Sequence, residues 1–568
     1  MKLDQSYRIV LASGCSAGER YAANMLRDYV KKCTGMTYPV AEESEPSQEN
    51  EIALGLARGA LCDADLGDEG FHVYVRDRRV YLAARAARGT IYAVLWFLEN
   101  YLGCRFFARD CEKIVSTDRI RLPDQLDYSY KPAFELRDLL FASENDTDIA
   151  VKHRLNRRHF NIRSLPQEVG GGREFAGFFA HTLGEFAETG YGVTGPCLSS
   201  EDTFRTVMKN VYARLAERPD AEYVCIAEND DYLYCKCDKC EATAREEESR
   251  MGVLMRFVNR VAETLASDYP NVKVVTYAYQ HTRKPPKIVR PRENVCVMVC
   301  SIDCCFSHSF SQCETPAPSP WMELDPDRNF QKDLADWSQI CDNVYVWDYV
   351  IDFYHYLMFF PNFNHLRDNM NFLASHGVKG VFVQGLSNLE RDMGYGEFGA
   401  LRAYVLSKLA YRPDMDANEF AMHYLEFLEA YYGEGFQYIR TYIDEACALA
   451  SGSHVGIYKH PLEIIPPEKG EAYLRMAHRC FDNAMRLADR TQKKRLALAR
   501  LQVTYYEQIF RYEAEYKKGS EAQKKRYVNR NKAFYRALAE NNVYMNPDSK
   551  LPRDPDMMQS PDLWHKLG

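Results

Sequence analysis

The sequence predicts an α/β protein in three parts: a small α+β domain over residues 1–125, a closed (β/α)8 (TIM) barrel over 126–412, and a helical domain over 413–568. Three observations predict it. Strand-length apolar runs recur eight times through the middle of the chain with helical patterns between them; strand and helix patterns alternate through the first ~125 residues; and strand patterns stop beyond about Leu409.

The opening segment reads YRIVLAS, then the helix ERYAANMLRDYVKKCTG closed by Gly35, then EIALGL, FHVYVRD, RVYLAA and the helix TIYAVLWFLENYLG. A turn-rich stretch from Leu122 to Pro132 separates it from the repeated units. Those begin at Phe134, Phe160, Pro196 (a weak run ending at Leu198), Glu222, Lys273, Val295, Asn343 and Gly380. Eight such units over about 270 residues have the size of a closed parallel barrel, whose reacting groups sit at the carboxyl ends of strands. Beyond it, apolar spacing such as Tyr473, Ala477, Phe481, Ala484 and Ala488 marks amphipathic helices, ending in a polar, Pro-containing tail.

Composition narrows the function. A chain of 568 residues exceeds one core, and no window approaches the ~20 apolar residues of a membrane span. A formal net charge of −8 gives no general attraction to nucleic acid or anionic membranes. The N-terminal residues lack a basic region followed by an apolar stretch, so a cytoplasmic location is expected, or a secreted one if a leader has been removed. With 18 cysteines in a reducing compartment, metal ligation is the expected reason for a close cysteine cluster. The aromatic content, Tyr 39, Phe 29 and Trp 5, suits stacking on the apolar faces of sugar rings, although most rings must fill cores.

Several strand ends carry candidate chemistry. Glu228 and Asp230 end the fourth run in IAEND, and a spacing of two places both carboxylates on one face of a strand. Glycosidic cleavage needs one protonated carboxyl group and a second group as nucleophile, base or stabiliser. Trp347, Asp348 and Asp352, in VWDYVIDFYHY, put an acid and aromatics at the end of the seventh run. Arg137, His181, Tyr279, Gln280, Gln384 and Glu397 lie at or near other strand ends, where polar groups hold sugar hydroxyls. Each of these alone is more often a structural polar residue.

Cys235, Cys237 and Cys240 form C-x-C-x-x-C after Asp230, a spacing able to converge on one tetrahedral zinc. The fourth ligand is sought in CSIDCCFSHSFSQC, which holds Cys300, Cys304, Cys305, His308 and Cys313, with Cys304 taken for that corner. Gly170, Gly171 and Gly172 read as a turn, since no Lys-Ser or Lys-Thr pair follows.

The stretches ARGTIYAVLWFLENYLGCRFF, AENDDYLYCKCDKC, TYAYQHTRKPP, DYVIDFYHY, GVKGVFVQG and EFGALRAYVLSKLAYRPDMD together resemble the bacterial domain-of-unknown-function family 4838 of the glycosidase superfamily, related to family 20 hexosaminidases and family 67 α-glucuronidases. The resemblance implies a TIM barrel behind a hexosaminidase-type N-terminal domain. It places Arg137 like the first-strand arginine that grips sugar hydroxyls, and matches Asn229 and Asp230 to the Asn-Asp pair before the cysteine motif. Family 20 enzymes carry adjacent Asp-Glu at the end of strand four; here the order is Glu228, Asn229, Asp230. Substrate-assisted retention and N-acetylhexosaminide specificity are therefore not carried over.

The expectation is a glycoside hydrolase, exo-acting on a glycan or oligosaccharide. Asp230 or Glu228 is expected as general acid and Asp348 as the opposing base, nucleophile or stabiliser. The sugar is held by Arg137, His181, Asn229, Tyr279, Gln280, Trp347, Gln384 and Glu397, with one structural zinc and no organic cofactor. The alternatives are a non-catalytic carbohydrate-binding protein on such a barrel, and a metal-dependent hydrolase using the cysteine cluster. Self-association stays open.

Overall fold

The structure, a computed structural model, describes residues 1–157, 165–190, 195–317, 328–385, 397–541 and 543. The chain divides into two compact units, one of Met1–Arg137 with Ser143–Arg173, the other of Asp138–Ala142 with Glu174–Gly568.

In the first unit six strands form one sheet: β1 (Arg8–Leu11), β2 (Val40–Glu42), β3 (Glu51–Leu54), β4 (Phe71–Arg76), β5 (Arg79–Ala83) and β6 (Asp127–Tyr130), in the order β6-β4-β5-β3-β1-β2. Helix Ala17–Thr34 starts in a capping box between Ser16 and Glu19 and stops at Gly35, whose φ of 76° suits the left-handed closing turn. Its Ala22, Leu26, Tyr29, Val30 and Cys33 form the buried stripe. Helix Ala87–Tyr101 is buried over most of its circumference, as its apolar sequence requires.

The second unit carries a curled seven-stranded sheet of β7 (Leu136–Leu140, whose first two residues count with the first unit), β8 (Phe175–Ala176), β9 (Tyr223–Cys225), β10 (Lys273–Ala278), β11 (Val295–Cys300), β12 (Val344–Tyr349) and β13 (Gly380–Gln384). The order is β7-β13-β12-β11-β10-β9-β8, and the ladders from β8 through β13 are parallel. Helices Glu201–Glu217, Met251–Asp268, Phe330–Ser338 and Leu366–Ser375 fall between successive strands, the arrangement that covers a parallel sheet. Tyr223 and Tyr345 bring their hydroxyls to 3.2 Å from strands that are not neighbours, which identifies the concave face.

Two strand expectations change. The run Pro196–Leu198 is not a strand: Pro196 has no N–H for a ladder, and the segment is a loop. The strand beside β9 is Phe175–Ala176 instead. Most of the run expected from Phe160 lies outside the described residues. The Glu222–Glu228 run leaves the sheet early, β9 ending at Cys225, so Glu228 and Asp230 sit on a loop rather than on alternating strand positions.

The C-terminal part of this unit is helical, with Gly399–Tyr411, Ala417–Tyr432, Phe436–Ala450, Pro467–Leu487, Arg490–Arg511 and Glu521–Glu540. Tyr442 joins three of these helices: its hydroxyl pairs with Tyr473 at 2.8 Å and donates to Gln502 Oε1 at 3.0 Å. Among the described residues no helix is long and apolar enough to cross a membrane.

Candidate functional site

Beyond the carboxyl end of β10 the chain makes a short turn, Gln280–Thr282, locked by the Thr282 hydroxyl donating to the carbonyls of Tyr277 and Tyr279. Three consecutive side chains of this corner take hold of both acids of the loop after β9. The Tyr279 hydroxyl and the Gln280 amide donate to Asp230 Oδ1, at 3.0 and 3.2 Å. His281 Nε2 meets Glu228 Oε2 at 2.5 Å, and His281 Nδ1 is buried with no hydrogen bond. Burial, then the Asp230 charge, hold the Tyr279 hydroxyl well above its usual range, so it stays a donor. Asp230 itself is exposed, and Glu228 is half-buried.

His181 joins this group from the segment after β8. Its Nδ1 lies 2.9 Å from the Glu228 carbonyl, and its ring meets those of Tyr277 and Tyr279. The segment is sewn to β10, β9 and the loop after β9 by three bonds: Tyr277 hydroxyl to the Phe179 carbonyl, Thr182 hydroxyl to the Cys225 carbonyl, and Leu183 N–H to the Ala227 carbonyl. His181 and Gln280 adopt left-handed φ of 50° and 49°. That conformation is costly for residues with a Cβ and collects at sites where side-chain placement matters more than local comfort.

Aromatic rings line the neighbouring wall. Trp347 of β12 stacks on Phe179 at 5.6 Å and meets Tyr277 and Phe382 edge-on, while its indole N–H donates to Gln384 Oε1 at 2.8 Å. Trp347 and Gln384, both expected at the site, are therefore brought together and both remain half-buried.

Asp348 requires a correction. Alternation along β12 sends Tyr345, Trp347 and Tyr349 to the concave face, so Asp348 points to the opposite side of the sheet, where it accepts from the Ser301 hydroxyl at 2.7 Å. It does not stand across from Asp230.

Three further expectations give way to structural roles. Arg137 is 0% exposed, with its guanidinium spent inside the first unit on Glu69, the Tyr92 hydroxyl and the carbonyls of Phe134 and Arg154. Asn229 faces the segment after β8, accepting from the Gly184 N–H and donating to the Gly190 carbonyl. Glu397 is buried in a pair with Arg402 at 2.7 Å.

Sequence reasoning missed His281 and Tyr458. His281 sits one residue past a named candidate, but nothing in the sequence pairs it with Glu228, 53 positions earlier. Tyr458, from the C-terminal helical part, lies near enough to Asp230 for that charge to help raise its hydroxyl, after burial. Asp352, seen only as an acid near the seventh run, is buried, and its Oδ1 accepts the N–H groups of Tyr354 and His355.

The cysteine cluster changes one member. Cys197, Cys235, Cys237 and Cys240 have all four sulfurs within 4.8 Å of one another, the donor set of a tetrahedral thiolate site. Cys304 is elsewhere: it is buried, and burial together with the Asp303 charge pushes its thiol well above the usual range. Cys197 arrives on the loop expected as a strand. Gly195 lets that loop pass close, since a Cβ there would stand 2.2 Å from the Leu233 carbonyl oxygen.

The chain shares its fold with a GH115 4-O-methyl-α-glucuronidase with specificity for decorated arabinogalactans: the identity is 12% and the TM-score 0.61, over 98% of this chain and 80% of that one. Looser likenesses are a GH138 enzyme targeting pectin rhamnogalacturonan II (12% identity, TM-score 0.48, 99% and 78% coverage) and a Streptomyces plicatus N-acetyl-β-hexosaminidase (13%, 0.42, 76% and 92%). No curated protein matches the sequence. Residues 106–444 match the profile of a domain of unknown function, DUF4838, and since that span exceeds half of the chain, the chain belongs to the DUF4838 family.

Proposed function

We propose that the protein is a glycoside hydrolase, exo-acting on an oligosaccharide, on a (β/α)8-type barrel. The observation that carries this reading is the pair of acids held by one turn: exposed Asp230 on Tyr279 and Gln280, and Glu228 against His281. Cleavage needs a proton for the leaving oxygen and a carboxylate at the anomeric centre. The Glu228–His281 pair supplies the first; Asp230 supplies the second, as base, nucleophile or stabiliser. Trp347 and Tyr279 offer faces for the sugar ring, with His181 and Gln384 for its hydroxyls. Cys197, Cys235, Cys237 and Cys240 hold one zinc, which is structural because four thiolates leave no open position for a substrate or water.

The test is a panel of aryl glycosides, uronides and N-acetylhexosaminides included, followed by variants on whichever turns over. Asp230→Asn and Glu228→Gln should each lower kcat by roughly 100-fold or more, the range of one acid-base group, with KM changed far less. Unchanged turnover by Asp230→Asn sinks the assignment.

The second reading, a carbohydrate-binding protein without turnover, draws support from Asp348, which faces away from the expected opposing position. Calorimetric binding of an oligosaccharide that the protein leaves uncut favours it.

A further inference from the structure

A second group of metal-ligand side chains lies apart from the cysteine cluster. Cys305, His308 and Cys313 sit in the loop that follows β11, spaced C-x2-H-x4-C, and His454 comes from the segment after helix Phe436–Ala450. One ligand atom from each falls within 4.8 Å of the others. Cys305 Sγ stands 3.1 Å from His308 Nδ1, and Cys313 Sγ 3.4 Å from His454 Nδ1.

We infer that Cys305, His308, Cys313 and His454 form a second structural metal site, for zinc or a similar borderline-soft divalent ion. Three features argue for metal over a chance gathering. The donor set, two thiolates and two imidazoles, is one of the standard closed tetrahedral sets, and two thiolates neutralise a divalent ion where Cys305 is buried. His308 Nε2 lies 3.0 Å from the Ser451 carbonyl; donation there fixes the tautomer whose Nδ1 is unprotonated and turned to the sulfurs, as ligating histidines are usually held from behind. The two segments are also held by other bonds, Phe306 N–H to the Val455 carbonyl at 2.8 Å and the Ser307 hydroxyl to the Ser453 carbonyl, so the ligands are pre-positioned without the ion. A Cys305–Cys313 disulfide would explain the sulfurs but not why a ring nitrogen of each histidine faces one of them.

Four protein ligands leave no open position, so the ion does no chemistry on a substrate. It ties the loop after β11 to the segment that carries Tyr458, the tyrosine near Asp230. The Phe353 N–H to Ile457 carbonyl bond, 2.6 Å, fastens the other end of that segment.

Elemental analysis of the full-length protein, purified under reducing conditions with zinc and then desalted, decides the matter. Two zinc equivalents per chain are expected. His454→Ala removes an exposed ligand with little risk to folding and should leave one equivalent; Cys197→Ser should remove the other, and the double variant both. Cobalt in the Cys197→Ser variant should show the absorption of a two-thiolate site, not a four-thiolate one. A single equivalent in the wild type that Cys197→Ser removes, an unchanged zinc count in a folded His454→Ala protein, or a Cys305–Cys313 disulfide detected by mass spectrometry in protein prepared without reductant overturns the inference.

Discussion

Burial pushes the Asp348 carboxyl up to about 7, against the hydrogen bonds from Ser301 and the Tyr349 N–H. The unfolded chain loses that proton near the ordinary ~4. Between these values the folded state keeps a proton that the unfolded state gives up, so stability falls as pH rises from about 4 to about 7 and stays lowered above. Asp348→Asn should therefore stabilise the protein at pH 8, by up to about 4 kcal/mol for a shift of that size, and do little at pH 4. Urea melts at the two pH values measure it, and an equal effect at both refutes it. Glu69 has the opposite sign. Burial would raise its carboxyl, but the charges of Arg137 and Arg88 bring it down to about 2. Its contribution is complete above about pH 4.3 and is lost as pH falls toward 2. At neutral pH, Arg137→Met should cost up to about 3–5 kcal/mol, the usual penalty for leaving one buried ion unpaired, reduced by Arg88, which stays 3.6 Å from Glu69. The same variant tests the structural role of Arg137: a folded protein that loses only sugar affinity contradicts it.

At the scale of elements, two loops and one turn decide the site. The loop at Gly195–Ser200 and the C-x-C-x-x-C segment supply the four thiols, so Cys197→Ser should release zinc to a chromogenic chelator far sooner than wild type, while Cys304→Ser should behave as wild type. The reverse pattern would restore Cys304 as the fourth ligand. In the turn after β10, the left-handed φ of Gln280 makes glycine the less strained replacement. Gln280→Gly should be more stable than Gln280→Ala by roughly 1 kcal/mol in denaturant melts, with Asp230 left on Tyr279 alone in both.

For the whole molecule, the helical C-terminal part is structurally continuous with the sheet unit. Tyr442 meets Phe359 and Phe398 edge-on or tilted, at 5.7 and 6.0 Å, and bonds to Tyr473 and Gln502. His355, in the loop after β12, bonds the Tyr505 hydroxyl at 2.6 Å. A chain truncated after Tyr432 would expose those rings and lose Tyr458, so it should appear in the insoluble fraction, since large exposed apolar patches drive aggregation. Soluble, cooperatively melting protein from that truncation would show the helices to be a separable appendage.

The periodicity of the sequence by itself determined the helical C-terminal part and most of the recurrent strands of the sheet, with Trp347 on β12 and with Glu228, Asp230, Tyr279 and Gln280 in the segments that follow β9 and β10. Those features are local: alternation and 3.6-residue spacing are written within a dozen neighbouring positions. Pairing is not. That Glu228 meets His281, that Cys197 and not Cys304 completes the thiol cluster, and that His454 reaches Cys313 across 141 positions depend on how distant segments pack. Face was also undecided for the loops: where β9 stops at Cys225 the two-residue rule no longer applies to Glu228 and Asp230, whereas one more residue along β12 turns Asp348 away from Trp347. Arg137 shows the same division. Its charge and strand-end position are plain in the sequence, but only tertiary structure surrounds it with Glu69 and Tyr92 and makes it part of a buried network.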